Sequence, residues 1–194
     1  MIQPVLQYIA DEISHFQDPN PVTRAVNVLV KLGNISQLDS SSGTANAELL
    51  KKIIITIVNI DEEKTLKNTP HYVREGENIS KRNPTLFLNL YILISCADDD
   101  YDEALKKISP VISCFQQKSI FTPENAEADF PLGVEKIVLD LFSLNFEQIN
   151  HLWGILGGKY IPSVLYKLRL IPIQASVPKG ADVIRAIRDN TNGN

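Results

Sequence analysis

The chain has 194 residues, of which 44% are hydrophobic and 22% charged, so it can bury a core without disulfides or metals. Its longest aliphatic run, residues 53–58, is too short to span a membrane, and its first residues lack the pattern of a secretory signal, so we expect neither. The net charge of −4 argues against nucleic-acid binding as the main function.

The first third of the chain is predicted to contain one helix and two strands. Residues 1–16 have apolar side chains at helical spacing, and the prolines within residues 18–21 end the helix. Its apolar side consists of Ile2, Val5, Leu6, Ile9, Ile13 and Phe16, and its polar side of Asp11, Glu12 and Ser14. Residues 25–32 predict a strand, residues 34–46 a polar loop, and the β-branched run 52–60 the clearest strand of the sequence.

The middle of the chain alternates between a polar segment, a strand and a helix. Residues 61–83 are polar and charged, and a connection of this length is either functional or lacks stable structure. An apolar strand is predicted over residues 84–97, and the three acids at 98–100 cap a helix over residues 101–118. Its predicted apolar stripe consists of Leu105, Ile108, Ile112 and Phe115. Pro110 is expected to kink or divide this helix.

The last third is predicted to add two strands around a short helix. Residues 134–142 alternate as a strand, and Asn145 caps a helix over residues 146–156 that ends at a glycine pair. Residues 164–173 form the last predicted strand. One of its faces is expected to carry Val164, Tyr166, Leu168, Leu170 and Pro172.

This order of elements predicts an α+β fold. We expect a mixed or mostly antiparallel sheet of about five strands covered by two to three helices. A doubly wound parallel fold needs more helices between its strands. Residues 1–177 are expected to form this single domain, and residues 178–194 a polar C-terminal tail.

Side chains that support catalysis or metal binding do not form a recognisable pattern. His15, His71 and His151 have no second type of metal ligand at a productive spacing. The acids at 98–100 fit a helix cap better than a calcium loop, which needs a glycine and spaced ligands. We therefore predict no catalytic residue, no metal and no cofactor.

Two further patterns are interpreted as structural. The Gly157-Gly158-Lys159 run resembles a phosphate loop, but Tyr160 follows where that loop needs Ser or Thr. Cys96 and Cys114 lie in apolar contexts and are interpreted as buried hydrophobes rather than as a disulfide.

Two segments of the chain carry a resemblance to a known family. The first is residues 83–95 (NPTLFLNLYILIS), followed by an acidic loop and residues 104–108, and the second is residues 149–166 (INHLWGILGGKYIPSVLY). In this order they resemble the cap, or tail-terminator, family of phage-tail-like contractile injection systems of the antifeeding-prophage type. That family has a Pro-x-Leu-x-Leu-x-Leu-Tyr-x-Leu strand before a helix, and later a Leu-Trp…Leu-Gly…Tyr-x-Pro-Ser…Tyr segment. The likeness covers about residues 1–174, although Asn83 stands where the family tends to have a second proline.

The resemblance implies a tail-terminator-like fold and an architectural role without an active centre. It implies a homohexameric ring that ends the inner tube and anchors the last sheath ring, with the tube protein, the sheath protein and its own copies as partners. Nucleic-acid binding and direct membrane insertion are not implied. Assembly is expected in the bacterial cytoplasm, in a particle that is released, membrane-anchored or cytosolic.

The family motif falls on residues for which a structural role is expected. These residues are Pro84, Leu90, Tyr91, Leu152, Trp153, Gly157, Tyr160, Pro162, Ser163 and Tyr166. We interpret Trp153 as a core residue rather than an interface residue. Tyr160 and Tyr166 have the same parity and are expected to face one side of a continuous strand.

The charge is distributed unevenly along the chain, and this distribution has two interpretations. Residues 159–194 carry six cations and two acids, a net of +4, so residues 1–158 carry −8. Contact between such surfaces of neighbouring subunits is one interpretation, and ordinary solvated charges are the other. The polar segments 34–46 and 61–83 are candidates for ordering on partners. The proposed contact residues are Glu62, Glu63, Lys64, Lys67, Arg74, Lys81, Arg82 and Lys159.

Two alternatives to a cap remain open from the sequence. One is a non-catalytic α+β module that binds a ligand or peptide and has no assembly role. The other is an enzyme whose site forms across a subunit interface, for which the sequence offers no acid–base or nucleophile constellation.

Overall fold

The computed structural model describes residues 1–20, 29–39, 49–63, 72–75, 78–81 and 85–173. The helices within these residues are α1 (Ile2–Gln17), α2 (Tyr101–Gln117), α3 (Phe146–Ile155) and a 3-10 helix at Ile35–Asp39. The strands are β1 (Val30–Leu32), β2 (Ile53–Glu62), β3 (Tyr72–Glu75), β4 (Asn78–Lys81), β5 (Leu86–Cys96), β6 (Ile120–Phe121), β7 (Ile137–Leu141) and β8 (Ser163–Ile173). The boundary expected between residues 177 and 178 lies outside the described residues and stays a prediction.

Six of the described strands form one sheet in the order β1-β2-β5-β8-β7-β6. β1 pairs with β2 in parallel, and the other neighbouring strands pair antiparallel. The long strands β2, β5 and β8 lie at the centre, where their β-branched and aromatic side chains suit a sheet buried on both faces. The predicted α+β class with a mixed, mostly antiparallel sheet is confirmed. β6 adds a strand to the expected five because two residues are too few to produce an alternating pattern.

The polar connection between β2 and β5 contains strands that the sequence did not predict. β3 and β4 pair antiparallel, with Tyr72 opposite Lys81 and Glu75 opposite Asn78. They form a separate two-stranded sheet. The pairing explains why composition was misleading: a short ladder of backbone hydrogen bonds can form without the apolar alternation that marks a half-buried strand.

Irregular pairing in β8 makes one prediction wrong. Leu88 pairs with Ile171 and Leu90 with Leu168, so one strand has an additional residue at this point. Such a bulge reverses which side chains face the core. Leu168 and Ile171 are accordingly both fully buried, whereas Pro172 is only partly buried. The residues predicted to share one face of β8 up to Pro172 therefore do so only as far as Leu168.

The main core lies between one face of the sheet and helices α1 and α2. Alternate residues of β5, namely Leu90, Ile92 and Ile94, face this core. Aromatic rings join its elements: Phe115 of α2 meets Tyr166 of β8 edge to face, with ring centroids 4.9 Å apart. The predicted apolar side of α1 packs on the sheet in this core, except for Phe16, which is exposed.

The predicted helices are present, but some of their side chains lie on a different face from the one predicted. Glu12, expected on the polar side of α1, is only 3% exposed because it accepts from partners described below. Leu105 and Ile112 of α2 are exposed. The buried side chains of α2 are Ala104, Ile108, Val111, Cys114 and Phe115. α2 also continues through Pro110 as one helix and is not divided there.

A smaller second core lies on the opposite face of the sheet. Trp153 of α3 and Ile35 of the 3-10 helix pack there on Leu93 and Leu165. Gly33 allows the chain to pass close to the Leu49 side chain, since a Cβ atom added to it would lie 2.7 Å from a methyl carbon of Leu49. The sheet is thus covered by two helices on one face and by α3 and the 3-10 helix on the other.

Candidate functional site

Metal-ligating side chains and cysteines are the first candidates for chemistry among the described residues. Among the described residues no group of three His, Cys, Asp or Glu side chains is placed to hold a metal ion. Cys96 and Cys114 are both free and buried, and burial raises the pKa of the Cys114 thiol to about 11. In the part of the chain that the structure describes, no helix is both long and apolar enough to cross a membrane.

The second family-motif segment begins with a firmly capped helix. The side chain of Asn145 accepts from the backbone N–H of Gln148 at 2.8 Å, and the Gln148 side chain accepts from the Asn145 N–H at 3.0 Å. This capping box fixes the start of α3. Trp153 is the buried residue of α3, and Phe146 and Ile155 are almost fully exposed. The interpretation of Trp153 as a core residue is confirmed.

The end of α3 depends on its glycine pair. Gly157 has φ of +113° and Gly158 φ of +82°, which side chains with a Cβ rarely adopt. The N–H of Gly158 donates to the Trp153 carbonyl at 2.6 Å, as in a Schellman-type helix end. The chain then reverses, and the buried Pro162 leads into β8 while its carbonyl accepts from the N–H of Cys96 at 3.1 Å.

The two motif tyrosines do not share a face, because the continuous strand that would place them on one side is absent. β8 begins at Ser163, so Tyr160 lies in the preceding turn and strand parity does not apply to it. Tyr160 is 62% exposed and meets Trp153 edge to face, with ring centroids 5.5 Å apart. Tyr166 is instead buried in the main core.

An apolar groove borders α3 on the sheet. We call it the α3 groove; it consists of two adjoining cavities of about 260 and 320 Å³ that share Phe142, Leu144, Leu152 and Leu165. The first cavity extends to Tyr160 and the second to Tyr91. The Phe142 ring meets Tyr91 edge to face at 5.1 Å, and the Lys167 ammonium lies 5.5 Å from the Tyr91 ring centre.

A buried ion pair on the other side of the molecule anchors an irregular loop. The Glu12 carboxylate lies 2.8 Å from the Lys118 ammonium. It also accepts from the backbone N–H groups of Glu127 and Ala128 at 2.8 and 3.1 Å. Burial alone raises the pKa of Glu12, but these donors outweigh it and leave the pKa lowered. The loop between β6 and β7, residues 122–136, is therefore tied to α1.

The same loop covers the outer edge of β6. The Asn125 side chain accepts from the Thr122 N–H at 2.9 Å and donates to the Ile120 carbonyl at 3.0 Å. It thus occupies backbone groups that a further strand would otherwise pair with. Farther along, Leu132 is 92% exposed at the tip of a turn in which the Val134 N–H donates to the Pro131 carbonyl. These features were missed in the sequence, although the Pro-Leu-Gly tripeptide signals a turn.

The residues proposed as partner contacts fall at different places. Glu62 and Glu63 lie at the end of β2, where the Glu63 carboxylate accepts from the Asn89 side chain at 3.0 Å. Lys159 is exposed after α3, near the opposite end of β5, so the structure does not bring it to these acids. Arg74 lies in β3 and Lys81 in β4. Lys64, Lys67 and Arg82 lie outside the described residues, as does Pro84 of the family motif.

Comparisons with known proteins place the chain in a family. Curated proteins give no match. The fold is similar to the sheath/tube terminator of PVC, an extracellular contractile injection system, in its extended state: 13% identity, TM-score 0.58, covering 100% of this chain and 64% of that chain. It is also similar to the tube-terminating cap of the anti-feeding prophage, with 13% identity and a TM-score of 0.49. That match covers 73% of this chain and 49% of that chain. This chain thus spans less than two thirds of either relative. Residues 5–186 match the Pvc16 N-terminal domain, and the chain therefore belongs to that family.

Proposed function

We propose that the chain is a structural cap that ends the inner tube and anchors the last sheath ring of a contractile injection system, as a hexameric ring. The observation that carries this proposal is the similarity of the whole chain to a sheath/tube terminator, with a TM-score of 0.58. The two motif segments that suggested the family lie on α3 and on the central strand β5, so they belong to the framework of that fold.

The physical role of such a cap is to stop an open-ended assembly. A tube built by head-to-tail stacking presents a face that continues to recruit subunits. A ring of matching symmetry with one tube-like face and one non-complementary face ends this growth. The chain acts by surface contact and not by catalysis, and it needs no cofactor. Its partners are its own copies, the tube protein and the sheath protein.

The proposed contacts with the tube or sheath lie in the connection between β2 and β5. This connection carries the β3–β4 pair together with the charged residues Glu62, Glu63, Arg74 and Lys81. A short strand pair outside the main sheet can extend a neighbouring sheet through its backbone groups. We assign assembly to the bacterial cytoplasm, before the particle reaches its final location.

The test is the length of the tubes in a strain that lacks the gene. Negative-stain microscopy of such particles should show tubes or sheaths of irregular length, and the full-length gene should restore uniform length. Uniform tubes without the gene would refute the cap. By light scattering, a ring should have a mass of about 130 kDa, six times 21.7 kDa.

A ligand- or peptide-binding module without an assembly role is the second candidate, favoured by the α3 groove. The groove suits apolar side chains, but one of its cavities, at about 260 Å³, is smaller than typical ligand pockets of roughly 300–1,000 Å³, and the other, at about 320 Å³, is near their lower limit. A chain that stays monomeric and leaves tube length unchanged when deleted would support this candidate instead.

A further inference from the structure

The sheet ends in an apolar strip on the face that carries the main core. Leu86 and Leu88 alternate with the buried Leu90 along β5, so the three side chains face the same side. Ile60 pairs with Leu90 and Ile173 pairs with Leu86, which places both on that side as well. We call the four residues Ile60, Leu86, Leu88 and Ile173 the end strip.

The end strip is more open to solvent than the core beside it. Leu90 is fully buried, whereas Ile60 is 48% and Leu86 45% exposed. Leu88 and Ile173 are partly buried. Within the described residues, α1 and α2 thus leave this end of the sheet open. Leucine and isoleucine side chains that adjoin on three neighbouring strands form an apolar surface of the kind that a further segment covers.

The chain leaves the sheet from within the end strip. Ile173 is the last residue of β8, and residues 174–194 follow it. The match to the family domain extends to residue 186, so residues 174–186 are part of that domain. A segment attached at the strip has an effective concentration there on the order of millimolar. This attachment selects the C-terminal segment of the same copy over a second copy as the occupant of the strip.

The C-terminal segment contains a stretch with an apolar side. Val183, Ile184 and Ile187 recur at helical spacing. A helix over residues 181–189 therefore carries all three on one side. The run Pro-Lys-Gly just before this stretch favours a reversal of the chain.

The lengths of the two elements agree. A helix of residues 181–189 is about 14 Å long. The strip extends along β5 from Leu86 to the position of Leu90, which is also about 14 Å of strand. The connection of residues 174–180 can span up to roughly 23 Å, which is enough to turn back over the strip.

The charges at the borders of the two elements are complementary. Arg188 borders the apolar side of the helix predicted over residues 181–189, and the two acids of this stretch lie on the opposite side. Glu62 pairs with Leu88 across the strands and so borders the end strip. A cation at the rim of the segment therefore meets an acid at the rim of the strip.

We propose that residues 181–189 form a helix that packs on the end strip of the same copy, with its isoleucines against the strip. The segment thereby closes the open end of the main core. This contact goes beyond the proposed cap and does not depend on it. It extends the domain past residue 177, where the sequence predicted its end.

Limited trypsin digestion of the full-length chain tests this contact. Arg185 and Arg188 should resist cleavage in the wild-type protein, because a packed helix must open before it is cut. Leu86→Asp places a charge in the strip and should speed cleavage at Arg185 at least about tenfold, since burial of one leucine shifts an equilibrium by roughly that factor. Leu105→Asp is the matched control: Leu105 is 41% exposed on α2, against 45% for Leu86, and its variant should leave the cleavage rate unchanged.

Two further measurements separate opening of the segment from unfolding of the whole chain. Cleavage at Lys118, whose side chain is only 24% exposed, reports global unfolding and should stay slow in both variants. Ile184→Ser should bind more of a hydrophobic dye than Ala181→Ser, because only the former uncovers the strip. If Leu86→Asp unfolds the chain, this second pair of variants decides the question, and equal dye binding would overturn the contact.

The remaining outcomes are equally defined. Rapid cleavage at Arg185 in the wild-type protein, or equal acceleration by Leu86→Asp and Leu105→Asp, would overturn the proposal. Protection that is lost on dilution to single chains of 21.7 kDa would place the segment on another copy and overturn it as well. These results leave the cap untouched, since the length of tubes without the gene tests that function separately.

Discussion

Replacing Glu12 by glutamine tests whether the buried ion pair holds the loop between β6 and β7. Glutamine keeps an oxygen for the N–H groups of Glu127 and Ala128, but it loses the charge that pairs with Lys118. Breaking a fully buried pair costs about 3–5 kcal/mol. The Lys118 side chain is 24% exposed, so solvent compensates part of the loss. We therefore expect Glu12→Gln to lower the free energy of unfolding by about 2–3 kcal/mol.

Urea denaturation followed by circular dichroism measures this change. Melting temperature should fall by at least about 4 °C, since about 1 kcal/mol corresponds to 2–4 °C for a domain of this size. Glu103→Gln is the matched control, because Glu103 and Lys106 form an exposed pair on α2 whose loss costs less than about 1 kcal/mol. If the two variants lost equal stability, the ion pair would not anchor the fold as we reason.

The pH dependence of the same variant has a defined sign. The folded protein lowers the pKa of Glu12 from its usual value of 4.5, so its ionised form is favoured by folding. The ionised Glu12 therefore contributes its full stabilisation above pH 4.5. This stabilisation is lost as the pH falls through the lower pKa that Glu12 has in the folded protein. Wild-type stability should therefore decline more steeply than that of Glu12→Gln in acid. Parallel curves below pH 4.5 would contradict this account.

Two further predictions concern backbone geometry. Gly157→Ala should destabilise the end of α3 by about 1–2 kcal/mol, because φ is +113° at this position. Gly154→Ala should instead stabilise α3 by about 0.5–1 kcal/mol, because this position is helical and has open space for a Cβ atom. Urea titration monitored by the single tryptophan distinguishes the two, and equal signs would refute the backbone argument. Asn125→Ala should uncover the Ile120 carbonyl and the Thr122 N–H and promote edge-to-edge association. Light scattering should detect this association, and unchanged scattering would refute the edge role of Asn125.

The sequence predicted the central strands and the helices because their apolar periods are long. β2, β5 and β8 each have at least ten residues of clear β-branched or aromatic character. In α2 the helical period was predicted correctly, but the buried face was assigned to Leu105 and Ile112, which are exposed. The small Ala104 is buried instead. The most hydrophobic side chains of a helix therefore do not always mark its buried face, because small residues such as alanine can pack closest to the sheet.

The remaining differences arise from contacts between distant parts of the chain. Glu12 is buried because it binds residues more than 110 positions away, and no local pattern contains that information. The bulge in β8 depends on pairing with β5 and reverses the face of Ile171. The shared parity of Tyr160 and Tyr166 held only for a continuous strand, and β8 begins after Tyr160, at Ser163. The groove and Leu132 were likewise invisible, since exposure is a property of the folded surface.

The attachment of α3 through Trp153 has a consequence for the free-energy landscape of the fold. The main core joins α1, α2 and four long or medium strands, whereas α3 rests on the small cluster of Trp153, Ile35, Leu93 and Leu165. A unit with so little buried surface opens at a lower free energy than the whole domain. We therefore expect α3 to open before the α1–α2 layer, and its amide hydrogens to exchange with solvent faster than those of α1.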